Sequence, residues 1–86
     1  MNTALAQAVR LTPVVEKVHG AHHPELHRVR ELTQALAADT DGARTGEYFD
    51  ELRKVTDNYA IPADVCEGFV GAYRALEEAE KSWSDR

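Results

Sequence analysis

The sequence predicts an all-α protein, an antiparallel up-down four-helix bundle that forms one domain over residues 1–86. Three observations indicate this class. Apolar residues recur at three- and four-residue spacing, and no long window alternates apolar with polar residues as a half-buried strand would. Proline and glycine interrupt the pattern at only a few points. The connections between the resulting segments are short, which favours antiparallel neighbours.

The first segment has one apolar face and a break at Thr12-Pro13. Thr12 could cap a helix, and Pro13 suits the first helical position. The sequence therefore leaves two alternatives, a long helix that bends at Pro13 or an ordered helix that begins at Thr12. Gly20 fits the left-handed position just past a helix end. The predicted apolar face consists of Leu5, Ala8, Leu11, Val15 and Val18.

The second and third helices are bounded by proline and by turn residues. Pro24 restarts the chain, and the second helix should end near Ala38. Residues 39–42, with the sequence DTDG, are predicted to form a turn, in which Thr40 or Asp41 caps the third helix. The predicted inward positions are Leu26, Val29, Leu32, Thr33 and Leu36, followed by Thr45, Tyr48, Phe49, Leu52, Val55 and Tyr59.

The fourth helix is expected to begin at Pro62, with Asp64 in its first turn. Each glycine inside a helix costs about 1 kcal/mol relative to alanine, so Gly68 and Gly71 suggest close approach by a neighbouring helix. Cys66 lies about one turn in, where the helix dipole could lower its pKa. A single cysteine on a helical face is more often a small buried hydrophobe, and we expect burial. The predicted seam is Val65, Phe69, Ala72, Leu76, Ala79 and Trp83.

Composition argues against several functional classes. The formal net charge is −5 and the basic residues are scattered among acids, whereas nucleic-acid binding needs a basic face. The short apolar run near the N-terminus is too short for a membrane span, and it does not fit a signal peptide because no basic region precedes it. With one cysteine, no intrachain disulfide can form. We therefore expect a cytoplasmic protein that binds neither nucleic acid nor membranes.

Three pieces of the chain carry a family resemblance. They are LTPVVEKVHG at 11–20 with HHPEL at 22–26, GE at 46–47 with ELRKVTDNY at 51–59, and PADVC at 62–66 with YRALEE at 73–78. In this order and spacing they resemble the hemerythrin-like di-iron proteins that repair iron–sulfur clusters. The resemblance implies an antiparallel four-helix bundle that holds two irons at one end.

The iron ligands of that family have no counterpart in this sequence. The resemblance implies a His near the start of helix one, a His at the start of helix three, and a His-x-x-x-Glu late in helices two and four. The chain begins about where the first ligand should lie, Gly42 stands where helix three should offer its histidine, and neither His-x-x-x-Glu is present. All four positions lie at the same end of an antiparallel bundle. We therefore expect a shortened bundle that has lost the family's metal site.

The histidines form the densest chemical cluster of the sequence. His19, His22, His23 and His27, with Glu16, could bind iron or another divalent metal, because neutral imidazole and carboxylate are suitable ligands. Glu16-x-x-His19 also has the spacing found in ferritin-like di-metal sites. The alternative, which we favour, is that these histidines cap and line a turn between two helices. We therefore expect no cofactor.

The sequence predicts a non-catalytic module that works by protein association, with a protein partner or as a homo-oligomer such as a dimer. No Ser/His/Asp set, phosphate-binding loop or zinc-type cysteine pair argues for an enzyme. A stripe of small residues would permit tight docking of another helix, and consists of Gly68, Ala72, Ala75 and Ala79. The alternative is a metal-binding protein related to iron–sulfur cluster repair, with its site at residues 19–27 or completed between subunits. A third possibility is a truncated piece of a larger repair protein with no independent role.

Overall fold

Four α-helices make up the computed structural model, which describes residues 3–85, and no β-strand occurs in that range. The helices are α1 (Thr3–His19), α2 (Glu25–Ala38), α3 (Thr45–Val55) and α4 (Glu67–Ser84). Helix α1 packs against both α4 and α2, and α2 packs against α3. The prediction of an all-α four-helix bundle is confirmed. Within residues 3–85, no helix combines the length and apolar character needed to cross a membrane.

The core is formed by the inward faces of all four helices. Most of the predicted inward positions are buried, and the buried apolar residues are Ala8, Val15, Leu26, Val29, Leu32, Leu36, Phe49, Leu52, Tyr59, Phe69, Ala72, Tyr73, Ala75, Leu76 and Ala79. Val18 is an exception, because 64% of its surface is exposed. The buried line along α1 runs through Ala8, Thr12 and Val15, and at helical spacing this line continues to His19 and not to Val18.

Helix α1 runs unbroken through Pro13, so it does not begin at Thr12. Proline has no N–H, and the bond that residue 13 would donate to the carbonyl of Val9 is therefore absent. The Thr12 side chain is 2% exposed, and its hydroxyl has no hydrogen-bond partner among the described residues. The missing backbone hydrogen bond and the unsatisfied hydroxyl both destabilise the middle of α1. The packing of α1 against two neighbouring helices offsets this loss.

Gly20 ends α1 in a different way from the one predicted. Gly42 is the only described glycine with positive φ, at 73°, so Gly20 is not left-handed. The Gly20 amide instead donates to the Glu16 carbonyl at 2.8 Å. A Cβ at this position would lie 2.5 Å from that carbonyl oxygen. Glycine is therefore required here because the backbone comes too close for a side chain.

Helix α3 begins at Thr45, later than predicted, and neither Thr40 nor Asp41 caps it. The residue that orders this start is Asp39, whose carboxylate accepts hydrogen bonds from the Arg44 amide at 3.0 Å and the Thr45 hydroxyl at 2.7 Å. Asp41 accepts a bond from the amide of Ala43 within the turn. The capping prediction was wrong because Asp39 folds back over the turn and satisfies the amide of Arg44 and the hydroxyl of Thr45 from five and six residues away.

Helix α4 also begins later than predicted, at Glu67 and not at Pro62. Residues 62–65 are not helical and include a turn at 63–64, and Cys66 stands at the N-cap with extended backbone angles, φ −87° and ψ 172°. Cys66 is exposed, so the prediction that it is buried was wrong. The five-residue shift moves Cys66 from one turn inside the helix to the point where the chain enters it.

Two predictions about the small residues of α4 are also revised. A Cβ on Gly71 would lie 3.5 Å from Leu11 Cδ1, an ordinary contact with a side chain, so no unusually close helix approach requires this glycine. The alanines of the small-residue stripe, Ala72, Ala75 and Ala79, are buried inside the bundle. They pack within one chain and are not available to dock a second protein.

Long side chains bridge α3 and α4. The Trp83 ring lies 5.5 Å from the Phe49 ring, centroid to centroid, and its edge is 3.3 Å from the position that a Cβ on Gly46 would occupy. The Tyr59 hydroxyl donates to Glu80 at 2.8 Å, and Arg53 pairs with the same carboxylate. These contacts close the side of the bundle on which the two helices face each other.

The buried hydroxyl in α1 gives a prediction about stability. Thr12→Val should raise the free energy of unfolding by about 1 kcal/mol, because it replaces an unsatisfied hydroxyl with a methyl group of similar volume. Thr33→Val is the matched control, since the Thr33 hydroxyl is equally buried but donates to the Val29 carbonyl at 2.7 Å. This control should be neutral or lower the stability. Urea unfolding of both variants measures the difference, and equal effects would contradict the prediction.

Candidate functional site

The end of α1 and the start of α4 bring a histidine and the only cysteine together. His19 is the last residue of α1, and Cys66 is the N-cap of α4. The distance between His19 Nε2 and Cys66 Sγ is 3.1 Å, although the residues are 47 positions apart. A sulfur and an imidazole nitrogen at this distance can share a proton, with the thiol donating to the ring or the ring N–H donating to the thiolate.

The surroundings of Cys66 favour its thiolate form. The pKa of the thiol is lowered to about 7, chiefly by the hydrogen bond with His19 and then by the backbone amides of Phe69 and Gly68, which point towards the sulfur. Amides at the first turn of a helix carry the positive end of its dipole and have no partner within the helix. An exposed thiol with such a pKa is about half ionised at neutral pH, and thiolate is the nucleophilic form.

Phe69 supports the imidazole of this pair. Its ring is fully buried in the first turn of α4 and meets the His19 ring edge-on, with centroids 5.6 Å apart. It also meets the His23 ring edge-on at 5.3 Å and contacts Tyr73 on its inner side. Because Phe69 is held by the core, both imidazoles rest on a fixed surface.

His23 joins the α1–α2 turn to the turn before α4. Its Nδ1 lies 3.2 Å from a Glu25 oxygen, and its Nε2 lies 3.3 Å from an Asp64 oxygen. A carboxylate only accepts hydrogen bonds, so both nitrogens can donate at once only when the ring is an imidazolium. His23 therefore acts as a polar link that keeps the segment before Cys66 close to the end of α1.

The other side chains that were predicted as possible metal ligands also contact separate partners. The Glu16 carboxylate accepts from His27 Nδ1 at 2.6 Å and from Arg30 Nε at 2.8 Å. The pKa of Glu16 is lowered, first by the bond from His27 and then by Arg30. His22 is exposed on the turn. Within residues 3–85, no group of three or more His, Cys, Asp or Glu side chains is arranged to hold a metal ion.

The cysteine–histidine pair was not predicted from the sequence. The pairing joins two residues that are distant in the chain, and the start of α4 had been placed too early for Cys66 to be recognised as an N-cap. The sequence did contain one signal that could have indicated the position of His19. Positions 8, 12, 15 and 19 follow helical spacing, so a stripe drawn through Ala8, Thr12 and Val15 directs His19 towards the neighbouring helix.

The opposite end of the bundle contains none of the four histidines. The start of α1, the end of α2, the start of α3 and the end of α4 line a half-open pocket of about 580 Å³ there. Gly42, at the position where the resemblance implies a histidine ligand, adopts a left-handed conformation in the turn with φ 73°. The two ends therefore differ in chemistry, with imidazoles and a thiol at one and a partly apolar pocket lined by two acidic residues at the other.

Comparisons with known proteins give no support for a family assignment of this chain. No family model, no curated protein and no solved structure matches this chain. The resemblance to hemerythrin-like repair proteins therefore stays a prediction that rests on the three quoted pieces of sequence. Any function proposed for this chain rests on the contacts, burial and charges of residues 3–85.

Proposed function

We propose that this chain is a helical module whose Cys66 thiol exchanges with disulfides, so that it joins partner proteins or small thiols reversibly. The observation that carries the proposal is the 3.1 Å contact between Cys66 Sγ and His19 Nε2 at the N-terminus of α4. A nucleophile within hydrogen-bond reach of a base is the arrangement that activates thiols. The proposal keeps protein association, the function predicted from the sequence, but the partner is held by a disulfide bond to Cys66.

Disulfide exchange at Cys66 needs no added oxidant, because the disulfide that is attacked is itself reduced. His19 Nε2 accepts the proton of the Cys66 thiol, and the thiolate attacks one sulfur of a disulfide R–S–S–R′. A bond forms between the Cys66 sulfur and R–S, the original S–S bond breaks, and R′–S⁻ leaves with the electron pair. The Cys66 sulfur is oxidised and the R′ sulfur is reduced. At neutral pH the leaving thiolate takes up a proton according to its own pKa.

The presence of a single cysteine determines the lifetime of the mixed disulfide. No second thiol of the same chain can attack this adduct and release the partner. The adduct therefore persists until an external thiol, from a small molecule or another protein, reverses the reaction. This behaviour is typical of a redox-responsive adduct site and not of a dithiol oxidoreductase, which resolves its own mixed disulfide.

The pH dependence of thiol alkylation tests the role of His19. In the wild type, the rate with iodoacetamide should rise with pH through a midpoint near 7. In His19→Gln the midpoint should move up towards about 8.5, the value of an ordinary cysteine. The thiolate fraction at pH 7 then falls from about one half to about 3%, while each thiolate becomes about fivefold more nucleophilic, so the rate at pH 7 should fall about two- to fourfold.

The matched control is His22→Gln, which removes an exposed histidine from the same turn. Its midpoint should stay near that of the wild type. Oxidised glutathione should then add one glutathionyl group to the wild type, observed by intact mass, and none to Cys66→Ser. A His19→Gln midpoint equal to that of His22→Gln, or no adduct on the wild type, would exclude the proposed exchange site.

A second candidate function, non-covalent association, is favoured by an exposed apolar pair on α1. Val14 and Val18 are 59% and 64% exposed and lie one helical turn apart on the same face. Exposed valines at this spacing are suited to packing against another helix. This surface takes the place of the small-residue stripe that the sequence suggested, because the alanines of that stripe are buried in the core.

The oligomeric state tests this second candidate. Size-exclusion chromatography with light scattering should give a mass above that of one chain, and the double variant Val14→Gln with Val18→Gln should shift the protein to the monomer, because it removes apolar contact area. Ile61→Gln, which changes an exposed apolar residue elsewhere, should leave the mass unchanged. A wild type that is a strict monomer and retains no partner in a pull-down would rule against non-covalent association.

Iron–sulfur cluster repair, the function implied by the resemblance, stands as the alternative and is tested by metal content. Because His19, His23 and His27 contact separate partners, we expect elemental analysis of protein purified without a histidine tag to give far less than one metal ion per chain. Near-stoichiometric iron with an oxo-bridged absorption band would favour the repair function over both thiol exchange and non-covalent association.

A further inference from the structure

A second site lies at the end of the bundle away from Cys66. The pocket of about 580 Å³ has an apolar floor made by Leu36, Phe49 and Ala79, all buried, and by the Trp83 ring. Trp83 and Phe49 lie 5.5 Å apart, centroid to centroid, with their planes tilted by 37°. Pockets of about 300–1,000 Å³ with apolar walls and a few polar groups are typical of small-molecule sites.

Two acidic residues, Asp39 and Asp41, are among the residues that line this pocket. The pKa of Asp39 is lowered, first by the bond from the Thr45 hydroxyl and further by the Arg44 amide and the positive charge of the Arg44 side chain, so Asp39 is ionised at neutral pH. Asp41 is exposed and accepts a bond from the Ala43 amide. No lysine or arginine is among the described residues that line the pocket, and the guanidinium of nearby Arg44 pairs with Glu47 at 3.3 Å.

We propose that this pocket binds a small organic ammonium ion with an aromatic or alkyl body. The body would pack on Trp83, which is partly exposed, above the buried floor that includes Phe49, and a cation close to the indole also gains from its negative face. The ammonium group would lie towards Asp39 and Asp41, and none of the described residues that line the pocket carries a positive charge. This proposal does not depend on the chemistry of Cys66.

Charge complementarity favours an organic cation over an anion, a neutral molecule or a metal ion at this site. An anion of the same shape would meet two carboxylates in a chain whose formal net charge is −5. A neutral molecule of the same shape would keep the apolar contact but lose the attraction. Among the described lining residues, a divalent metal ion would find these two carboxylates and no histidine or further acid to complete its coordination.

The fluorescence of Trp83 reports directly on the pocket, because it is the only tryptophan of the chain. The wild type is titrated at fixed ionic strength with 2-phenylethylammonium, 2-phenylethanol and 3-phenylpropionate, which share a phenyl body and differ in charge. The cation should give a saturable change in emission, the alcohol a weaker affinity, and the anion the weakest. Added salt should weaken the binding of the cation only.

Asp41→Asn is the critical variant, because asparagine keeps the acceptor oxygen for the Ala43 amide and removes the charge. It should weaken binding of the cation about two- to fivefold, as expected for a partly exposed ion pair, and leave the alcohol unchanged. Asp57→Asn makes the same charge change after the end of α3, at the opposite end of the bundle, and should have no effect. Far-UV circular dichroism confirms that both variants are folded.

Several outcomes would overturn the proposal. They are the absence of a saturable response to the cation at millimolar concentration, equal affinity for all three compounds, and equal affinity of Asp41→Asn and Asp57→Asn for the cation. A saturable response to calcium chloride that is absent with 2-phenylethylammonium would also overturn it, because the carboxylates would then serve a metal ion.

Discussion

The packing of α1 against α4 is the contact on which the rest of this structure depends. Helix α1 also packs against α2, so it is the central element of the bundle, and it stays helical through Pro13 despite a lost hydrogen bond and a buried hydroxyl without a partner among the described residues. Each of these features costs on the order of 1–3 kcal/mol. Apolar burial along two helix faces offsets them, and the unbroken helix places His19 beside the first turn of α4.

The start of α4 shows how the core builds a polar site. Phe69 is fully buried one turn after Cys66, and its ring contacts the imidazoles of His19 and His23. Its burial fixes the first turn of α4, whose amides point towards the Cys66 sulfur. The lowered thiol pKa is therefore a consequence of core packing as well as of sequence, because the amides can stabilise a thiolate only if the helix begins at Glu67.

The carboxylates at the two ends of the bundle have different hydrogen-bond partners. At the end with Cys66, the carboxylates of Glu16, Glu25 and Asp64 are engaged by imidazoles and by Arg30. At the other end, the bonds that Asp39 and Asp41 accept from described residues come from backbone amides and a hydroxyl, and the charge of Arg44 also acts on Asp39. Carboxylates therefore serve as structural partners of imidazoles at one end, and at the other they lie beside a pocket whose described lining includes no lysine or arginine.

The sequence by itself determined the number of helices, most of their inward faces and the turn between α2 and α3. Positions such as Leu26, Val29 and Leu32 were predictable because a helix imposes a fixed angle between residues, so that burial follows spacing. The end of α2 at Ala38 and the turn with Gly42 were predictable because glycine readily adopts the left-handed conformation that this turn requires.

Only the tertiary structure decided where α3 and α4 begin and what Cys66 contacts. Asp39 orders the start of α3 from outside the turn, and residues 62–65 stay non-helical although Pro62 is well suited to begin a helix. The pairing of Cys66 with His19 spans 47 positions, a distance over which no local spacing rule acts. Two residues so far apart meet only because two helices pack, and the packing depends on the whole set of buried side chains at once.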